Sequence, residues 1–214
     1  MAETPEQVHP EEITVSAWDT WARYERVDAG YLGEAPGVEP DLEVIAFSQR
    51  DPRWSALPLG ASRYTVGGSG CAVVAVTMLA TLAQPTLTPR EMVLWLNGHE
   101  GFTTGGLLNW ARCAEYVGGL EWIAYRLWRD KPADVGMIEA LLDLGPQIVQ
   151  VDFRPQSSAL DTHFVLALSM TDGDQDINIL DPWTGQPATL LTAYGKESWD
   201  LARAVYALAE YRVI

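Results

Sequence analysis

The apolar and polar positions of this chain change period partway along it. Residues 72–82 read Ala-Val-Val-Ala-Val-Thr-Met-Leu-Ala-Thr-Leu, apolar on nearly every side, which predicts a helix buried all round. Thr88-Pro89-Arg90-Glu91 offers an N-cap, a first-turn proline and an early acid, and predicts a second helix reaching about residue 97. Residues 105–116 and 135–144 are further helix candidates. Beyond them the pattern shortens to strand type. A short apolar run at 44–47 reads as a strand, and so do 147–153, 163–170, 176–180 and 204–213, separated by turn residues. Helices followed by strands predict an α+β fold, a helical half packed on an antiparallel sheet.

Composition narrows the class. Of 214 residues, 48% are apolar and 20% charged, ordinary globular usage that excludes wholesale disorder. The formal charge is −15 and the pI about 4.4, which repels phosphate backbones and anionic membrane surfaces and suits neutral or cationic substrates. No basic patch suggests nucleic acid, and no apolar run approaches the ~20 residues of a membrane span. The first ten residues are acidic, without a basic start or an apolar run, so no signal peptide is expected; the protein is expected in the cytoplasm as made, with a virion or the cell exterior as possible final sites. Residues 1–43 hold eleven carboxylates against Arg23 and Arg26 and end in Gly and Pro, which predicts an acidic arm or linker ahead of one domain at 44–214. Within the arm, Trp18, Trp21 and Tyr24 recur every third residue and suit docking on the main domain or on a partner.

Candidate chemistry centres on Thr65-Val-Gly-Gly-Ser-Gly-Cys71, which runs straight into the apolar helix. A helix N-terminus favours thiolate over thiol, and its free N–H groups can bind an oxyanion. Gly67, Gly68 and Gly70 leave the approach to the sulfur open for substrate. The bland alternative is a small buried residue at a helix entry. The other cysteine, Cys113, sits in an apolar helical segment and reads as core; two cysteines make no disulfide framework. Of three histidines, His9 lies in the arm and His99 in a polar loop, whereas His163 opens an apolar strand. A hairpin turning near Asp172 or Gly173 would bring His163 and Asp181 together on one face if the register were even and unbroken by a bulge. Asp181 would then orient the imidazole; alone, it reads as the start of an Asp-Pro turn. Asp172, Asp174 and Asp176 alternate as in a calcium loop but lack its glycine and twelfth-position acid, so turn solvation explains them and neither metal nor cofactor is expected. Trp54, Trp110 and Trp183 are candidates for stacking on a peptide or sugar in a cleft.

Gln49-Arg-Asp-Pro-Arg-Trp54, Leu59-Gly60, Thr65 to Cys71, His163-Phe-Val and Asp181-Pro-Trp-Thr-Gly185 together resemble papain-like cysteine peptidases of the double-glycine leader peptidase-like (bacteriocin-processing peptidase-like) superfamily, in its free-standing bacterial and phage form. The blocks span residues 44–212. The resemblance implies a papain-like fold with Cys71 as nucleophile, His163 as base, Asp181 as orienting acid and Gln49 as a side-chain donor to the oxyanion. It implies a peptidase or amidase acting through a thioester, on peptides such as those of bacterial cell walls. The residues after Cys71 are Ala72-Val73-Val74, where many relatives carry Gly or small polar groups. The membrane and ATPase domains of transporter-linked relatives are absent from this sequence, so export-coupled leader cleavage is not expected. Two other classes stay open: a papain-like module that binds peptide or glycan without turnover, and a virion or cell-surface assembly component docking through the arm.

Overall fold

The computed structural model describes residues 14–15, 44–171, 173 and 175–214. The expectations for the arm, including its aromatic triplet and His9, and for Asp172 and Asp174 therefore lie outside the described residues. The exception within the arm is strand β1 (Thr14–Val15), which pairs antiparallel with β2 (Val44–Ile45).

The rest is α+β, with seven helices among the described residues and a six-stranded antiparallel sheet. The helical half holds α1 (Val66–Ser69), α2 (Cys71–Ala80), α3 (Pro89–Gly98) and α4 (Trp110–Tyr116). Then follow β3 (Leu120–Leu127), α5 (Val135–Leu142), β4 (Gln147–Asp152), β5 (Thr162–Met170), β6 (Ile177–Asp181), β7 (Gln186–Thr189), α6 (Leu190–Tyr194), α7 (Leu201–Ala204) and β8 (Ala207–Val213). The sheet order is β3-β8-β4-β5-β6-β7.

The period-2 pleat sorts the sheet's side chains into two cores. Ile148, Leu166, Leu168, Leu180 and Ala209 pack toward α2, α3 and α4. Val149, Val151, Val165, Ala167, Ile177 and Ile179 pack with side chains of α5, α6 and α7. With both faces covered, β4 is buried at every position, including its polar Gln147, Gln150 and Asp152. As its all-apolar sequence predicts, α2 is buried almost everywhere. Helix α3 begins with a closed capping box: the Glu91 N–H donates to Thr88 Oγ1 at 3.4 Å and the Thr88 N–H donates to Glu91 Oε2 at 2.9 Å.

Several boundaries differ from expectation. Helix α4, expected from residue 105, starts at Trp110, because Gly105 and Gly106 belong to a tight turn. Gly106 there has φ +79°, and a Cβ on it would sit 2.6 Å from Ser62 Oγ. The Gly-rich turn before Cys71 contains the one-turn helix α1. Ala204, expected to open the last strand, instead ends α7, whose start is capped by the Asp200 carboxylate accepting from the Arg203 N–H, and the strand begins at Ala207. No helix among the described residues is long and apolar enough to cross a membrane.

Candidate active site

Cys71 is the first residue of α2, following Gly70 at the N-cap. Its N–H belongs to the set a helix leaves without an intrahelical partner. The chain must turn from α1 into α2 within one residue, and Gly70 makes that possible: its N–H donates to Val66 O at 2.7 Å, and a Cβ there would lie 2.5 Å from that same oxygen. Gly70 is buried and outside the cleft lining, so it acts on backbone geometry rather than on substrate as expected; Gly68 and Ser69 form the rim beside the sulfur.

His163 and Asp181 meet through a β-bulge. At the turn end of the β5–β6 hairpin the register is Met170↔Ile177 and Ser169↔Asn178, which, if continued, would put His163 and Asp181 on opposite faces. Leu168 is the extra residue. Past it the pairs are Ala167↔Ile179 and Leu166↔Leu180, and continuing them sets Asp181 opposite Val165, two residues from His163 and on its face. The expectation feared a bulge as the thing that would separate the pair; here it aligns them. His163 Nε2 lies 2.9 Å from Asp181 Oδ1, with the two side chains 4% and 6% exposed.

Asp181 is also held by the Trp183 N–H at 2.9 Å, the Thr184 hydroxyl at 3.1 Å and the Tyr194 hydroxyl. Burial opposes its charge, but the bonds from His163 and the other donors win and hold the carboxyl below its ordinary range. Burial likewise opposes protonation of His163, yet its bonds to Asp181 and to the Cys71 sulfur raise it from 6.5 to about 9. With Nε2 taken by Asp181, Nδ1 is the nitrogen left for the sulfur. His163 and Asp181 share the face covered by α6, while Cys71 comes from α2 on the other face. They meet because His163 is only the second residue of β5, at the sheet's end.

Gln49 is bound to the Asp181 loop through its N–H, which donates to Pro182 O at 2.6 Å, and its side-chain Nε2 donates to Gly67 O at 3.1 Å. The side chain is buried with Oε1 unpaired. One Nε2 hydrogen remains unused, and Gln49 and Cys71 line one cleft of about 760 Å³ together with His163, Phe153, Trp110 and Trp183. Trp183 thus reaches the cleft, packed edge-on against Phe153 at 5.1 Å. Trp54 does not. Its ring is 2% exposed in the core against Phe47, and its indole N–H is spent on Ser48 O at 2.8 Å, so it braces the Gln49 segment instead of stacking on substrate.

The sequence reading missed Tyr194 and Phe153, whose rings lie 5.3 Å and 5.0 Å from that of His163. Tyr194 comes from a five-residue helix that no periodicity announced. Burial, then the nearby Asp181 carboxylate, pushes its hydroxyl well above the ordinary tyrosine value, so it stays a donor. His99 stands apart, stacked on Trp95 at 4.0 Å, and Cys113 is buried and pushed up to about 12 by that burial. Among the described residues no group of three or more His, Cys, Asp or Glu side chains could hold a metal ion. No family model matches this chain, and neither a curated protein nor a solved structure matches it.

Proposed function

We propose that this chain is a cysteine-dependent acyl-transfer hydrolase of papain-like fold that cleaves a peptide or amide bond through a thioester. The observation that carries this reading is that Cys71 and His163 line one cleft, while His163 Nε2 meets the buried Asp181 carboxylate at 2.9 Å and the ring interacts with the Cys71 sulfur. A structural cysteine needs neither an aligned imidazole nor a cleft. Cys113 has neither.

In the proposed cycle the Cys71 thiolate attacks the substrate carbonyl carbon while His163 carries the proton as imidazolium. The carbonyl electrons move to oxygen, and the anion is met by the Cys71 N–H and the free Nε2 hydrogen of Gln49; one such donor is typically worth about 3 kcal/mol of barrier. His163 gives its proton to the departing amine, the C–N bond breaks, and a thioester remains. Water then attacks the thioester as His163 accepts its proton. The acid leaves, and the thiolate returns. Asp181 stays ionised throughout and stabilises the imidazolium.

p-Nitrophenyl acetate tests this without knowledge of the natural substrate. A burst of p-nitrophenol with an acetyl group mapped to Cys71, absent in Cys71→Ala and slowed in His163→Ala, is expected. Acetylation spread over lysines, or unchanged in Cys71→Ala, would overturn the assignment.

A further inference from the structure

A chain of charge −15 should draw neutral or cationic substrates, but the cleft carries the opposite sign. Besides Cys71 and His163, its ionised lining consists of Arg129, Arg154 and Asp161. Arg154 and Asp161 neutralise each other, Nε to Oδ2 at 2.7 Å. Arg129 is exposed and forms no ion pair with any described residue. Tyr125 lines the cleft with Arg129, and from it polar groups lead toward the reacting centre: its hydroxyl donates to Gln150 Oε1 at 3.1 Å, and Gln150 Nε2 donates to Thr162 Oγ1 at 3.2 Å, next to His163.

Arg129 also lines a second depression of about 540 Å³, together with Lys131, Arg203, Asp130 and Asp200. The Asp200 carboxylate is already used by the Arg203 N–H. At the other end, Arg50 lies over the Trp183 ring at 4.9 Å, again with no ion pair to a described residue. Phe102, Leu108, Trp110 and Phe164 give the same cleft an apolar wall.

Building on the hydrolase reading, we infer that the cleft selects acidic peptides, with Arg129 binding a substrate carboxylate beyond an apolar side chain seated on the Trp110 wall. The net negative charge of the chain disfavours such a peptide at long range, so Arg129 supplies a local attraction where the cleft needs it. The carboxylate is a Glu or Asp side chain or a peptide C-terminus, two sources of one chemistry.

Bromoacetyl-Phe-Gly-X probes separate the possibilities, the Cys71 sulfur displacing bromide and peptide mapping reading the rate at Cys71. The X residues are Glu amide, Gln with a free C-terminus, Gln amide and Lys amide. An attraction and a repulsion of surface size together predict about tenfold faster labelling by a carboxylate probe than by the Lys probe. Whichever of the Glu amide and the free acid is faster identifies the source. The preference should vanish in Arg129→Gln, survive in Arg129→Lys, and shrink in about 1 M salt, where screening extends only about 3 Å. Equal rates for all four probes, faster labelling by Lys, or a preference that persists in Arg129→Gln overturns the inference while leaving Cys71 as the nucleophile. Failure of every probe to label Cys71 faster than Cys113 overturns the hydrolase reading and this inference with it.

Discussion

Replacing Asp181 by Asn removes the charge that His163 leans on while keeping a side chain of the same shape. In the wild type, burial works against protonated His163, and the bond to Asp181 is the largest influence in the other direction, followed by the Cys71 sulfur; the balance lifts the imidazole from 6.5 to about 9. At about 1.4 kcal/mol for each tenfold change in proton affinity, that lift corresponds to about 3 kcal/mol. The folded value lies above the unfolded one, so this stabilisation is complete below pH 6.5 and is lost as pH rises through about 9. Asp181, held low, contributes from the other side: its part is present above the ordinary carboxylate value of 3.8 and is lost as pH falls through its lowered one. The two describe one interaction and count once. In Asp181→Asn the main raising influence is gone and burial remains, so the proton affinity of His163 should fall about ten- to a hundredfold. Urea unfolding across pH 6 to 10 reads the stability, and the His163 ring proton shift reads its titration. The wild type should lose about 3 kcal/mol over that range, and Asp181→Asn should lose much less, from a lower start. A His163 that still titrates at about 9 in Asp181→Asn would refute the reasoning.

Other parts of the site make separate predictions. Tyr194→Phe keeps the ring beside His163 but takes one donor from Asp181, so the acid limb of kcat should move to higher pH with KM little changed; a purely structural Tyr194 would lower folding stability without moving that limb. Gln49→Ala should cost about a hundredfold or more in kcat for ester or peptide cleavage, and far less in alkylation by iodoacetamide, which forms no oxyanion. Gly70→Ala forces a Cβ to 2.5 Å from Val66 O and should destabilise by about 2 kcal/mol, read as a lower urea midpoint.

Much of this architecture was legible because local chemistry and tertiary placement agree. The run after Cys71 can only be an interior helix, and the Thr88 and Glu91 capping residues set the start of α3 from sequence alone. The runs at 147–153 and 163–170 contain β4 and most of β5. What escaped depends on contacts distant in the chain. Strand β3 is an edge strand whose solvent-facing positions include Ile123, Tyr125 and Leu127, so Leu120–Leu127 shows no apolar–polar alternation to mark it. The bulge at Leu168 leaves no composition signal, yet it decides which face His163 takes. Tyr194 and Trp54 exchange the roles their sequence contexts suggest. An aromatic in a short, weakly patterned helix reaches the catalytic pair, while one in a prominent block packs inside. Net charge misleads for the same reason: eleven carboxylates fall in residues 1–43, whereas the cleft gathers arginines from segments far apart in the chain.

If Cys71 and His163 work as one charged pair, iodoacetamide labelling against pH reads that pair. Mapped separately by peptide mass, Cys71 in the folded protein should label rapidly at pH 6 while buried Cys113 stays unlabelled, and His163→Ala should abolish the low-pH labelling without changing the fold measured by circular dichroism. Labelling of Cys71 that appears only at alkaline pH, or that is the same in His163→Ala, would contradict the account.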